Sequence, residues 1–235
     1  MAAGWRSEGV QDQGGRPYQE DSWSLRTLAD GTVLAVLADG MGGHAGGAVA
    51  SKLVVDAFLK AIEQGRSLAD GLKDANDAVR DGAAGKAALT GMGATAVAAL
   101  VKGDEVRWIS VGDSPFYLAV EDKLQRLNAD HSFAPQIDAM VERGMITAEE
   151  AANHPGRHTL REAVMGEPLT LIDEGSAKLP AGAVLLLCSD GVESLSHDKI
   201  SAEARQTAGD LLAAVLAVGK PHQDNVTIIK MERHT

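Results

Sequence analysis

Apolar runs and polar breaks divide this chain into strand-length and helix-length pieces. WRSEGVQD (5–12) and DSWSLRTL (21–28) read as short strands separated by the loop QGGRPYQE. ADGT at 29–32 is a hairpin signal leading into the wholly apolar run 33–38. Beyond a glycine-dense loop, Val49, Leu53, Ala57 and Ala61, with Val54, Phe58 and Ile62 between them, form a helical stripe. Leu68, Leu72, Ala75 and Val79 mark a second helix over 67–82. Strand patterns return at GATAVAALV (93–101), EVRWISVG (105–112) and FYLAVED (116–122), with KGDE as a turn. Residues 129–168 are polar and helical without a strong core face, and Thr147 with Glu150 makes a capping box there. Strands are expected again at LTLIDEG (169–175) and AVLLLCSDG (183–191), then a helix around 208–218 and a last strand, NVTIIKMER.

Strands, two helices, more strands, then helix and strand do not make the strict alternation of a parallel sheet. Layered sheets flanked by helices, an α+β architecture, fit better. No repeat, low-complexity tract or linker interrupts the 235 residues, so one domain with an inserted segment at about 129–168 is expected. A hydrophobic content of 45% is ordinary for a globular core. No run of about 18 apolar residues predicts a membrane span, and MAAGWRSEGVQDQGG lacks the pattern of a signal peptide. Cys188 is the single cysteine, so no internal disulfide forms; a small buried core residue in a reducing cytoplasm is the expectation. The formal net charge of −11 disfavours nucleic acid and anionic membrane as partners.

The loop after the run 33–38 has two readings. Gly40-Met41-Gly42-Gly43-His44-Ala45 satisfies the dinucleotide fingerprint. A dinucleotide fold, however, needs its next parallel strand where a second helix is predicted. Asp39 would also bring a carboxylate against the pyrophosphate, and no Gly-Lys-Ser/Thr follows to make a P-loop. The other reading makes Asp39 a metal ligand, with glycines allowing backbone and cation to approach.

That second reading gains weight from companions at other strand ends. SVGDSP carries Asp113, LLLCSDG carries Asp190, HQDNVTII carries Asp224, and RPYQEDSW carries Glu20 and Asp21. Two unpaired carboxylates about 5 Å apart repel by about 3 kcal/mol at an effective dielectric of 20. Gathered together, they would consume most of a domain's net stability unless cations sat among them. An all-oxygen donor set selects hard ions, Mg²⁺ or Mn²⁺ over Zn²⁺. His154 and His158, split by Pro155 and Gly156, read as loop histidines rather than a zinc pair.

RPYQED, LADGMGGHAGG, TGMGATAVAAL, VGDS, LCSDG and DNVT, in this order, resemble the metal-dependent protein Ser/Thr phosphatases of the protein phosphatase 2C (PPM) family in their bacterial form. The resemblance covers nearly the whole chain, with 129–168 similar to that family's flap subdomain. It implies a four-layer αββα sandwich of two antiparallel sheets flanked by helix pairs. It also implies that Asp39 bridges two metals, that the Gly40 carbonyl ligates one, and that Asp190 and Asp224 ligate the other. Glu20 matches a metal-ligand position, Asp21 holds metal or metal-bound water, and Asp113 with Asp190 holds a third, weaker ion. Arg16 matches the arginine that grips the substrate phosphate, a role suited to a forked guanidinium.

The implied activity is hydrolysis of phosphoserine and phosphothreonine on proteins by a hydroxide shared between two Mg²⁺ or Mn²⁺ ions, with Arg16 and Asp39 as catalytic residues. Implied partners are phosphorylated proteins and a cognate bacterial Ser/Thr kinase, with the chain acting as a cytoplasmic monomer. Three positions depart from the family pattern. Met41 stands where some relatives carry a histidine able to protonate the leaving group, with His44 three residues further on. Pro115 replaces the arginine of GDSR, and Gln19 replaces a common asparagine. The alternative is a pseudophosphatase, a metal-stabilised module that binds phosphoproteins without turnover; a hydrolase of small phosphate esters is a third reading.

Overall fold

The computed structural model describes residues 4–42 and 45–233. In chain order the elements are β1 (Trp5–Asp12), β2 (Ser22–Thr27), β3 (Val33–Ala38), β4 (Gly40–Met41), α1 (Ala45–Glu63) and α2 (Leu68–Ala83). Next come β5 (Gly93–Ala94), β6 (Ala96–Lys102), β7 (Glu105–Val111), β8 (Phe116–Val120) and β9 (Lys123–Arg126). Between β9 and β10 lie α3 (Ala134–Glu142) and α4 (Ala148–Ala152). The chain finishes with β10 (Asp173–Lys178), β11 (Val184–Cys188), α5 (His197–Glu203), α6 (Ala208–Ala217) and β12 (Val226–Arg233).

Two five-stranded sheets organise these elements, one ordered β1-β12-β11-β8-β9 and the other β10-β7-β6-β3-β2. All their strand pairs are antiparallel. The two-residue alternation of a strand explains the unbroken apolar runs. Along β3, Val33, Ala35 and Leu37 pack with Leu185, Leu187 and Ile229 of the other sheet. Leu34, Val36 and Ala38 face the opposite way, against Val54, Phe58, Leu72 and Val79 of α1 and α2. On β11, Leu185 and Leu187 join the inter-sheet core, while Val184, Leu186 and Cys188 meet Ile200, Leu211 and Val215 of α5 and α6. Strands covered on both faces therefore read as continuous hydrophobic stretches.

Several elements differ from the sequence reading, among them the two-residue β4, which pairs with β5 where only a glycine-dense loop is expected. β9 was not expected, because KLQR offers a single buried side chain, Leu124. The strand expected at 169–175 lies at 173–178 as an edge strand with half-buried and exposed residues in alternation. α5 was not expected either, being seven residues with only Ile200 buried. The capping box of Thr147 and Glu150 forms at the start of α4. Cys188 is fully buried, and burial pushes its thiol well above the ordinary range, which suits a packing role. Among the described residues no helix is long and apolar enough to cross a membrane.

Candidate functional site

Loops at the strand ends converge on one cleft of about 500 Å³. Arg16 and Glu20 come from the β1–β2 connection, and Asp39 and Gly40 follow β3. Asp113 follows β7, Asp190 follows β11, and Asp224 precedes β12. Asp21 lies just behind the wall, 6% exposed, with Oδ2 accepting from Thr227 Oγ1 at 2.7 Å. All eight residues singled out in the sequence thus reach the cleft or its immediate backing. Gly43 and His44 lie outside the described residues.

The carboxylates are held against their own chemistry. Burial first, then the charges of Asp21, Asp190, Asp113 and Asp224, raise the Asp39 carboxyl well above the usual range. Asp190 is raised in the same way, by burial and then by Asp113 and Asp224. Burial pushes Asp21 up to about 6 against the pull of its hydrogen bond from Thr227. Asp113 also rises to about 6, through burial and then Asp130 and Glu193, with Arg126 opposing.

Asp224 is in direct contact with the rim arginine. Its Oδ2 accepts from Arg16 Nη2 at 2.5 Å, and its Oδ1 accepts from the Asn225 backbone N–H at 2.9 Å. Among the described residues no three carboxylate, histidine or cysteine side chains close into a ready-made cation cage. The set is looser: acidic groups around one cleft, each within electrostatic reach of the others.

The donor chemistry fits hard divalent ions. Asp21 Oδ1 and Asp190 Oδ1 are buried without a hydrogen-bond partner, a costly condition that a cation relieves. The site offers oxygen donors and no cysteine, which selects Mg²⁺ or Mn²⁺. The backbone beside Asp39 is also packed too closely for side chains. A Cβ on Gly40 would stand 2.2 Å from the Gly47 carbonyl oxygen and 2.5 Å from that of Glu20.

Residues given no role in the sequence reading hold this arrangement in place. Asn225 Nδ2 donates to the carbonyls of Gln13 and Tyr18 at 2.8 and 3.0 Å, and its Oδ1 accepts from Glu20 N–H at 2.8 Å. It therefore ties the Arg16–Glu20 loop to the mouth of β12. Gln19 donates to the Asp12 carbonyl and accepts from Asp21 N–H, so glutamine spans the loop at this departure from the family pattern. Thr95 Oγ1 accepts from Asp39 N–H at 2.9 Å and pairs with Ser114 Oγ at 2.7 Å, linking the Asp39 and Asp113 loops. Met41 and His158 both line the cleft. No local pattern pointed to His158, because the register of an irregular insert is set by tertiary contacts.

An acidic, oxygen-rich cleft at the ends of two stacked antiparallel sheets has the donor set of a hard-cation site. A family model described as protein phosphatase 2C matches residues 12–223, and the chain belongs to that family. It is 37% identical over 215 residues to the serine/threonine protein phosphatase PstP of Mycobacterium tuberculosis, covering 85% of this chain. The chain spans 40% of that curated relative's length. It superposes on the catalytic domain of PstP in complex with two manganese ions with a TM-score of 0.80 at 31% identity, covering 99% of this chain and 100% of that one. Against the serine/threonine phosphatase Stp1 of Staphylococcus aureus the TM-score is 0.84 at 30% identity, covering 100% and 98% of the two chains.

Proposed function

We propose that this chain is a protein serine/threonine phosphatase that hydrolyses phosphoserine and phosphothreonine on proteins. One observation carries the reading: Asp39, Asp113, Asp190 and Asp224 meet Arg16 in a single cleft backed by carboxylate oxygens without partners. Asp39, the Gly40 carbonyl, Glu20, Asp21, Asp190 and Asp224 would hold two Mg²⁺ or Mn²⁺ ions, and Asp113 with Asp190 a third. Such ions lower the pKa of water to near neutrality and offset charge on the phosphoryl oxygens.

The protein's own groups supply the rest. Arg16, half-exposed at the rim, offers a planar fork to two phosphate oxygens. Its pairing with Asp224 means that phosphate and carboxylate compete for one guanidinium. That ion pair keeps Arg16 pointed at the cleft before substrate arrives. Met41 has no proton to give a departing serine alkoxide, so no side chain at that position serves as general acid.

Residues 1–235 act on this reading as one catalytic unit, with 129–168 as a flap beside the cleft that influences substrate choice. A monomer in the cytoplasm, opposing a Ser/Thr kinase, completes the proposal; the buried lone thiol is compatible with that compartment. A pseudophosphatase is disfavoured because no core carboxylate is missing. Turnover of a phosphothreonine peptide and of nitrophenyl phosphate with Mn²⁺ or Mg²⁺ tests the assignment. Peptide turnover that is lost in excess EDTA supports it. Full turnover in EDTA refutes the metal centre, and binding without turnover returns the pseudophosphatase.

A further inference from the structure

Besides the Thr95–Ser114 pair and a bond from Cys188 N–H to the Pro115 carbonyl, the loop that carries Asp113 is fastened by one short stretch, residues 126–131. Gly112, at φ +100°, opens the loop, and Pro115 leaves it one backbone donor short. Gly112 N–H donates to His131 Nδ1 at 3.2 Å, and the His131 N–H donates to the Gly112 carbonyl at 3.1 Å. Arg126 Nη2 donates to the Asp113 carbonyl at 2.6 Å. Asn128 Nδ2 donates to the Ser114 carbonyl at 3.0 Å, while its Oδ1 accepts from Phe116 N–H at 2.8 Å. Asn128 and His131 are 5% and 6% exposed, so the side-chain bonds they make are shielded from water, while the Arg126 bond is half-buried.

His131 and the two residues after it, Ser132 and Phe133, hold the neighbouring segment 159–161. The His131 carbonyl accepts from Arg161 N–H at 2.7 Å, and Phe133 N–H donates to the Thr159 carbonyl at 3.0 Å. Ser132 bridges Leu160 in antiparallel fashion. Thr159 and Leu160 line the same cleft as Asp113. Arg126 additionally lies 3.4 Å from Asp130 and 3.7 Å from Glu193, the latter in the short turn that begins with Asp190.

We propose that Arg126, Asn128 and His131 are positioning residues: they set Asp113 for cation binding and make its place depend on residues 159–161. This rests on the metal-centre reading above. A carboxylate on a glycine–proline loop has no fixed aim of its own. Three side chains that take up successive backbone groups of the loop give it one, and a guanidinium beside acidic neighbours offsets their mutual repulsion. Residues that orient a ligand in this way commonly shift metal affinity by 10–100-fold when removed.

Arg126→Met removes the donor and the charge while keeping the aliphatic stem. The expected result is about a tenfold rise in the Mn²⁺ needed for half-maximal turnover, with the KM for a phosphopeptide within about twofold. Arg126→Lys restores part of the Mn²⁺ response. Two readouts do not depend on turnover. Electron paramagnetic resonance of Mn²⁺ should show one fewer ion held at fixed metal in Arg126→Met. Amide exchange in the EDTA-treated protein should accelerate together at 112–116 and 159–161, sparing β3 and β11. If Arg126→Met folds poorly, His131→Ala is read by the same exchange pattern.

An unchanged Mn²⁺ titration, or exchange that rises evenly through both sheets, would overturn the proposal and leave these residues as general supports. If the unaltered chain binds Mn²⁺ but turns over no phosphopeptide, the phosphatase assignment fails. The exchange and resonance measurements would still decide the clamp.

Discussion

The aspartates of α2 and those of the cleft share a side chain and have opposite surroundings. On α2, Asp74 accepts from both Nη atoms of Arg66 at 2.7 and 3.0 Å, and Asp77 pairs with Lys73 and Arg80. Those hydrogen bonds hold their carboxyls below the usual range. In the cleft, burial and neighbouring carboxylates raise Asp21, Asp39, Asp113 and Asp190. The net charge of −11 sums both populations and separates neither. Exposed pairs on a helix contribute little and are screened by salt. Buried, unpartnered carboxylates cost stability, and a protein retains them for what they bind.

The largest effect that follows is at Asp39. Asp39→Asn should lower phosphopeptide turnover by at least about a thousandfold. In EDTA it should melt higher than wild type, because a buried like charge is gone. A lower melting temperature would show that the cleft charges are compensated within the protein and break the contrast with α2. Next in size, Arg16→Ala should cost about a hundredfold in kcat/KM by removing a charge-assisted fork from the phosphate. Its Mn²⁺ titration should stay within a few-fold of wild type.

The pH response sharpens the contrast. A carboxyl raised to about 6 in the folded state and near 4 when unfolded favours folding in its protonated form. The contribution is fully present below pH of about 4 and is lost as pH rises through about 6. Relative to Asp21→Asn, the EDTA-treated wild type should therefore lose about 2–3 kcal/mol between pH 4 and pH 7 in urea unfolding. A difference that stays flat would place Asp21 among ordinary carboxylates. The lowered carboxyls of α2 contribute with the opposite sign, lost only as pH falls below their ordinary range. Smallest of all, Asp74→Asn should move the melting temperature by no more than about 1–2 °C and leave turnover unchanged.

The same contrast explains what could be read from the chain alone. Strands buried on both faces, such as Val33–Ala38 and Val184–Cys188, announce themselves as apolar runs. The carboxylates that follow them, Asp39 and Asp190, were legible because an acidic residue at the end of such a run has no packing reason to be there. β9 was invisible, because a four-residue strand with one buried side chain carries no period. With it went Arg126, whose partner is the Asp113 carbonyl, a backbone atom that leaves no trace in residue types. Asn225 stood inside a quoted motif, but its hold on Gln13, Tyr18 and Glu20 appears only once a loop some two hundred residues away is folded beside it. Edge strand β10 was displaced by four residues, since Leu169, Leu171 and Ile172 outweigh the sparse apolar content of DEGSAK in any window.

The central claim is that acidic side chains from distant loops together hold hard divalent cations. Calorimetric titration of Mn²⁺ into the EDTA-stripped, dialysed protein at pH 7, beside Asp39→Asn, tests it most directly. The account predicts at least two ions bound by wild type and a loss of the tighter binding in Asp39→Asn. No binding by wild type, or the same isotherm for both proteins, would contradict it.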